Sequence, residues 1–113
     1  MFVIAVALAM AAPPDRWVRV GGSANLYEEY LDKDSVRRTA DKVTLWTRRD
    51  FVLGQGTSWN ELEIDCSLRM ETILAYIRDD GRTISHNIVR PHREAAPIFQ
   101  NSAEERIFNI ACR

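Results

Sequence analysis

Histidine is scarce in this chain: His86 and His92 are the only two. Together with Glu94 they form the one constellation that suggests a metal site or a small envelope enzyme, because imidazole and carboxylate both ligate divalent cations and exchange protons. Two histidines six positions apart, with no third histidine, do not reproduce the ligand spacing of structural or catalytic zinc. Solvent-exposed histidines, with no bound metal or cofactor, are therefore the expectation. Glu61, Glu63 and Asp65 alternate along one stretch and look at first like general acid–base carboxylates. Residues two apart on one strand face pair more readily with cross-strand arginines, and Arg48 is the candidate partner. Asp79-Asp80-Gly81 lacks the further ligands of a calcium loop and reads as a turn. Ser58, Ser67, Ser85 and Ser102 have no nucleophile-elbow glycines around them. Cys66 and Cys112 would serve as nucleophiles only as free thiols. No catalytic residue is assigned, and the chain is expected not to be an enzyme.

The element that must position these groups is the stretch over residues 61–70. Apolar and polar residues alternate through it, so Leu62, Ile64, Cys66, Leu68 and Met70 fall on one face of an expected β-strand and the charged residues on the other. Cys66 then points inward from mid-strand. The whole chain has 113 residues, 46% hydrophobic and 27% charged, enough for a single small domain. A net charge of −1 lacks the basic excess of a nucleic-acid binder.

Residues 2–12 are an unbroken apolar run, too short for the roughly 20 residues that span a bilayer. The run has the length of a signal-peptide core, and Ala9-Met10-Ala11 fits a small-x-small cleavage site. Residues 1–11 are expected to be a signal peptide and residues 12–113 the mature domain, periplasmic or secreted, with no stable membrane insertion after cleavage. A buried first strand or helix is the alternative. An oxidising compartment turns the only two cysteines into a Cys66–Cys112 disulfide, against the rival of two buried thiols.

Taken in order, residues 16–20 read as a strand ending in Gly21-Gly22-Ser23, and residues 26–31 as a second strand. Asp32-Lys33-Asp34-Ser35 reads as a turn opening one helical turn over residues 36–38. Residues 43–51 form a third strand, with Val43, Leu45 and Thr47 on one face and Trp46 on the other. After the glycine-containing loop at residues 53–58 comes a long segment from Trp59 to Arg78. It is either one bent strand or two strands broken near residues 71–72, with a β-bulge where the alternation slips. A helix over residues 68–76 is its rival. Residues 79–82 form a hairpin turn, residues 83–89 the last strand, and residues 90–97 an irregular segment. Ser102-Ala103-Glu104-Glu105 is a capping box opening a C-terminal helix. Ala103, Ile107, Ile110 and Ala111 form its apolar stripe, with Phe108 at the edge. The fold class is α+β: a single antiparallel sheet of about five to six strands with one C-terminal helix packed on it, stapled by the disulfide.

Trp17, Trp46 and Trp59, with Tyr27, Tyr30 and Tyr76, are candidates to line a binding patch. Trp46 is expected in the core. Trp59, Tyr27 and Tyr30 are the candidate binding surface, with an unpaired edge strand as a second route to a partner.

These segments resemble a known family. Asp32-Lys33-Asp34-Ser35-Val36-Arg37-Arg38, then Val43-x-Leu45-Trp46, Glu63-Ile64-Asp65-Cys66, Pro97, and Ser102-x-x-Glu105 ending in Cys112 are similar to the surface-adhesin protein E-like family. The resemblance covers nearly the whole mature chain and implies a small exported domain with an antiparallel sheet, a C-terminal helix and a disulfide. The adhesin that names the family is lipid-anchored, whereas no cysteine follows the apolar run here, which favours a free periplasmic or secreted form. The expected function is a non-enzymatic envelope domain that binds an envelope or extracellular protein. A metal-binding or enzymatic protein using His86, His92 and Glu94, and a structural homodimer, are the alternatives.

Overall fold

The computed structural model describes residues 16–23, 25–88 and 95–113. The expected signal peptide and the residues His92 and Glu94 lie outside them. Among the described residues seven strands and one helix follow in order: β1 (Trp17–Ser23), β2 (Tyr27–Thr39), β3 (Lys42–Phe51), β4 (Thr57–Asp65), β5 (Met70–Asp79), β6 (Ile84–Ile88), β7 (Ala96–Pro97) and α1 (Ala103–Ala111). The first six form an antiparallel meander in sequence order, and β7 pairs with the start of β5 beside it.

Alternation decides which residues meet the helix. On β4 every second residue is buried, Ser58, Asn60, Leu62 and Ile64. Leu62 and Ile64 stand opposite Leu45 and Val43 of β3. With Val20, Leu31, Ile98, Ile107 and Ala111 these side chains make the core between the sheet and α1. The helix is seated by a bulge in β1, where Val20 has no partner across the ladder. Its carbonyl instead accepts a hydrogen bond from Arg106 at 2.9 Å. Beside it Gly21 lets the helix approach closely, since a Cβ there would lie 3.1 Å from the Ala103 side chain.

Ser102 caps the helix as expected, its hydroxyl accepting from the Glu105 amide at 3.1 Å. Glu105 reaches back one residue further than expected, to the Asn101 amide. The disulfide closes between Cys66 and Cys112, with Cα atoms 5.6 Å apart.

Three local expectations are corrected. Residues 61–70 are not one strand: β4 ends at Asp65 and β5 starts at Met70. The Asp65 carboxylate accepts hydrogen bonds from the Ser67 amide and hydroxyl and from the Leu68 amide, which folds residues 66–69 into a turn. Cys66 therefore sits in that turn rather than mid-strand, and Leu68 is exposed. The same turn excludes the rival helix over residues 68–76, since β5 occupies most of it. The bulge in the long segment is real but lies further along β5: Leu74 is the extra residue, between Ala75 opposite Glu61 and Ile73 opposite Leu62.

Residues 32–35 do not end β2, and no helical turn follows them. Residues 33–36 bulge out opposite Leu45 alone, and pairing resumes at Arg37 with Thr44. The Asp32 carboxylate accepts from the Asp34 amide, and the Ser35 hydroxyl donates to the Asp32 carbonyl. Ser35 also accepts from the Trp46 amide at 2.8 Å, standing in for the displaced backbone of β2.

The buried stripe of α1 also differs from the one its spacing predicts. Ile107 and Ala111 are buried, but Ile110 is 41% exposed, so the buried stripe runs along Ala103, Ile107 and Ala111 with Phe108 and Cys112 beside it.

Candidate binding surface

The sheet face opposite the helix carries the tryptophans. Trp46 is half-buried there, not in the core, because β3 turns Val43, Leu45 and Thr47 to the helix side and leaves Trp46 on the other. On the same face a groove of about 750 Å³ runs across β1–β6. Trp17, Trp46 and Trp59 line it with Ile77 and Ile84, and the β2 bulge contributes Asp34, Ser35 and Arg37 to its wall.

The sequence expectation for this surface divides. Trp59 pairs in register with Arg48, and Arg48 with Tyr30, so Trp59 and Tyr30 share the open face. Tyr27, three residues before Tyr30, points to the helix side, where its ring meets Phe51 edge-on with centroids 5.6 Å apart. Trp17 and Trp46, candidates by residue type but not placed on the expected surface of Trp59, Tyr27 and Tyr30, do line the groove. The parity of Trp46 in β3 was the available signal.

The acidic stretch does not form a catalytic pair. Glu63 is ion-paired to Lys42 at 3.6 Å, and Asp65 is held in the β4–β5 turn. The three hydrogen bonds at Asp65 keep its carboxyl below the usual range, led by that from the Ser67 hydroxyl. Arg48, the expected partner, belongs elsewhere. Its guanidinium stacks between Trp17 and Tyr30, 4.7 and 4.6 Å from the ring centroids, and its Nε lies 3.1 Å from Asp50. Asp79 and Asp80 cap the β5–β6 turn, accepting from the amides of Gly81, Arg82 and Thr83. His86 stands in register opposite Ile77. Among the described residues no group of three or more histidine, cysteine or acidic side chains is placed to hold a metal ion. Both cysteines are bonded, so neither offers a thiol nucleophile.

Comparison with known protein families matches residues 17–113 to the family described as surface-adhesin protein E. The chain belongs to that family. No curated protein and no solved structure gave a significant match. Membership in the surface-adhesin protein E family implies an exported or surface location, and a structural disulfide fits such an oxidising compartment. It also points to a surface protein rather than an enzyme. No helix among the described residues is long and apolar enough to cross a membrane.

This surface-adhesin protein E domain has a second polar cluster on the helix side, beyond the apolar core. Glu29 is buried, and its Oε1 lacks a hydrogen-bond partner among the described residues although Arg49 Nε lies 3.4 Å away. Arg49 also approaches Glu104 of α1 at 3.7 Å and stacks on Tyr27. Burial raises the Glu29 carboxyl, opposed by Arg49. Burial, with Glu104 and Glu29 nearby, pushes Glu71 up to about 7.

A raised carboxyl favours the protonated fold. The unfolded chain releases this proton near the usual 4.5, while the folded chain holds it until about 7. Stability from this site therefore falls as pH rises between those values and stays low above them. Glu71→Gln removes the penalty. After allowance for the partial exposure of Glu71, the variant is expected to be more stable than the parent by about 1–2 kcal/mol at pH 8 and indistinguishable at pH 4. Urea denaturation at the two pH values measures the difference.

Proposed function

We propose that the domain is an exported, non-enzymatic adhesin-type module that binds an envelope or extracellular protein through the open face of its sheet. On this reading residues 1–11 are removed as a signal peptide. The observation that carries the proposal is the gathering of Trp17, Trp46 and Trp59 along one groove on the face that α1 does not cover. Aromatic side chains in a half-buried groove cost water contact in the free protein and return it on burial by a partner, which is why they anchor protein interfaces. Family membership supports the surface role.

The test uses the mature protein as crosslinking bait against envelope extract and purified extracellular proteins. The parent is expected to capture a partner that survives purification and binds again from pure components. Trp46→Ala with Trp59→Ala is expected to weaken that binding about tenfold or more. Leu53→Ala, in the exposed β3–β4 loop away from the groove, is expected to leave it unchanged. No partner, or a partner retained by the double variant at an unchanged thermal midpoint, would overturn the proposal.

A further inference from the structure

The two flanks of the groove differ in charge. On the β1–β2 flank the acidic residues Asp32 and Asp34 have a cation beside them, since both act on Arg16. Arg16 donates to the Asp32 carboxylate at 2.7 Å, and Arg37 donates to the carbonyls of Asp34 and Val36, each at 2.9 Å. On the β4–β5 flank the lining charges are Glu61 and Asp79, with no basic side chain beside them in the groove wall.

Glu61 is the distinctive one. It stands opposite Trp46 on β3 and Ala75 on β5, and two residues along β4 from Trp59 on the same face. It forms no ion pair among the described residues, whereas Glu63, the next carboxylate on that face, is paired with Lys42 at 3.6 Å. Arg48, two residues along β3 from Trp46, is held by Asp50 and by its stack on Trp17 and Tyr30. Among the described residues, then, a half-buried carboxylate flanked by two indoles has no ion-pair partner. Both features favour the same ligand. Indole faces attract cations, and a carboxylate bonds guanidinium through paired donors.

We infer that this flank receives an arginine side chain from an extended basic segment of the partner protein. The inference rests on the binding face proposed above and names the chemistry that face selects. Glu61 supplies the ion pair, and Trp46 and Trp59 supply the stacking surface. A groove of about 750 Å³ is larger than one side chain, so the flanking residues of the segment lie along Ile77 and the β2 bulge.

The test is fluorescence anisotropy of labelled synthetic peptides of about eight residues on the mature protein, with arginine, glutamine or glutamate alternating with serine. The arginine peptide alone is expected to bind, more weakly at 300 mM than at 50 mM sodium chloride. Glu61→Gln, which keeps the side-chain shape, is expected to weaken it about tenfold or more. Glu63→Gln, on the same strand and face but outside the groove, is expected to change it less than about twofold.

Equal binding by the Glu61→Gln protein, equal loss in the two glutamine variants, or preference for the glutamate peptide would overturn the inference. If the arginine peptide fails to bind while the captured protein partner still depends on Trp46 and Trp59, the cationic ligand falls and the binding face stands. If the partner is indifferent to both tryptophans, both fall.

Discussion

Replacing Cys66 and Cys112 together by serine is expected to lower the stability of the domain by about 4 kcal/mol, the chain-entropy value for a sequence separation of 46. The bond does two jobs in the folded chain. It closes a loop that holds β5, β6 and the segment leading to α1, and it fixes the end of the helix to the β4–β5 turn. That turn is also held by the Asp41 carbonyl, which accepts from the Cys66 amide at 2.8 Å. The helix has only nine residues, too few to persist alone in water, so its order depends on what it docks against. Guanidinium denaturation of the parent, with and without reductant, and of the double variant measures the loss. The thermal midpoint should fall on the order of 15–30 °C. The reduced parent should match the double variant, because the effect belongs to the crosslink and not to the sulfur atoms. A loss under about 1 kcal/mol would show that packing alone holds the helix.

The architecture was legible in the sequence because its signals are local and agree with one another. Val43, Leu45 and Thr47 against Trp46, or Leu62 and Ile64 against Glu61 and Glu63, fix both strand identity and facing. Ser102 and Glu105 mark the helix start. The errors arose where two local signals competed. Cys66, Leu68 and Met70 continue the alternation of β4, and that apolar parity hid the turn chemistry of Asp65 and Ser67. At residues 32–35 Asp32 and Ser35 do make the local hydrogen bonds of a turn, but these do not end the strand. Ser35 bonds both the Asp32 carbonyl and the Trp46 amide, so the excursion closes as a bulge and the strand goes on.

The candidate surface was less legible, for a different reason. Parity placed Trp46 away from Val43 and Leu45, but parity cannot say which face of a sheet is covered. One short helix covers part of one face, and a large aromatic side chain on the other stays half-buried. Tyr27 and Tyr30 are three residues apart, which in a strand means opposite faces, so the strand expected over residues 26–31 already separates them. That Glu61 has no ion-pair partner among the described residues is invisible to sequence altogether. It follows from the pairing of Lys42 with Glu63 across β3 and β4 and of Arg48 with Asp50 within β3.

Ile107→Ala is expected to destabilise the domain by about 3 kcal/mol, within the roughly 2–5 kcal/mol range for truncating a fully buried isoleucine. Ile107 has no exposed surface and belongs to the core that joins the helix to Val20, Leu31 and Ile98. Its truncation leaves a cavity at the junction of β1, β2 and α1. The sheet backbone cannot collapse into that cavity without giving up ladder hydrogen bonds, and the disulfide keeps the helix from moving away. Ile110→Ala makes the same chemical change three residues along the same helix, at a position 41% exposed. It should cost less than about 1 kcal/mol, because little apolar area returns to water and alanine is the better helix former. The pair of variants therefore reads the rotation of α1 directly. Equal losses would place Ile110 in the core, as its sequence spacing first suggested. A loss at Ile107 several times that at Ile110, measured by urea denaturation at one pH, is the result the packing demands.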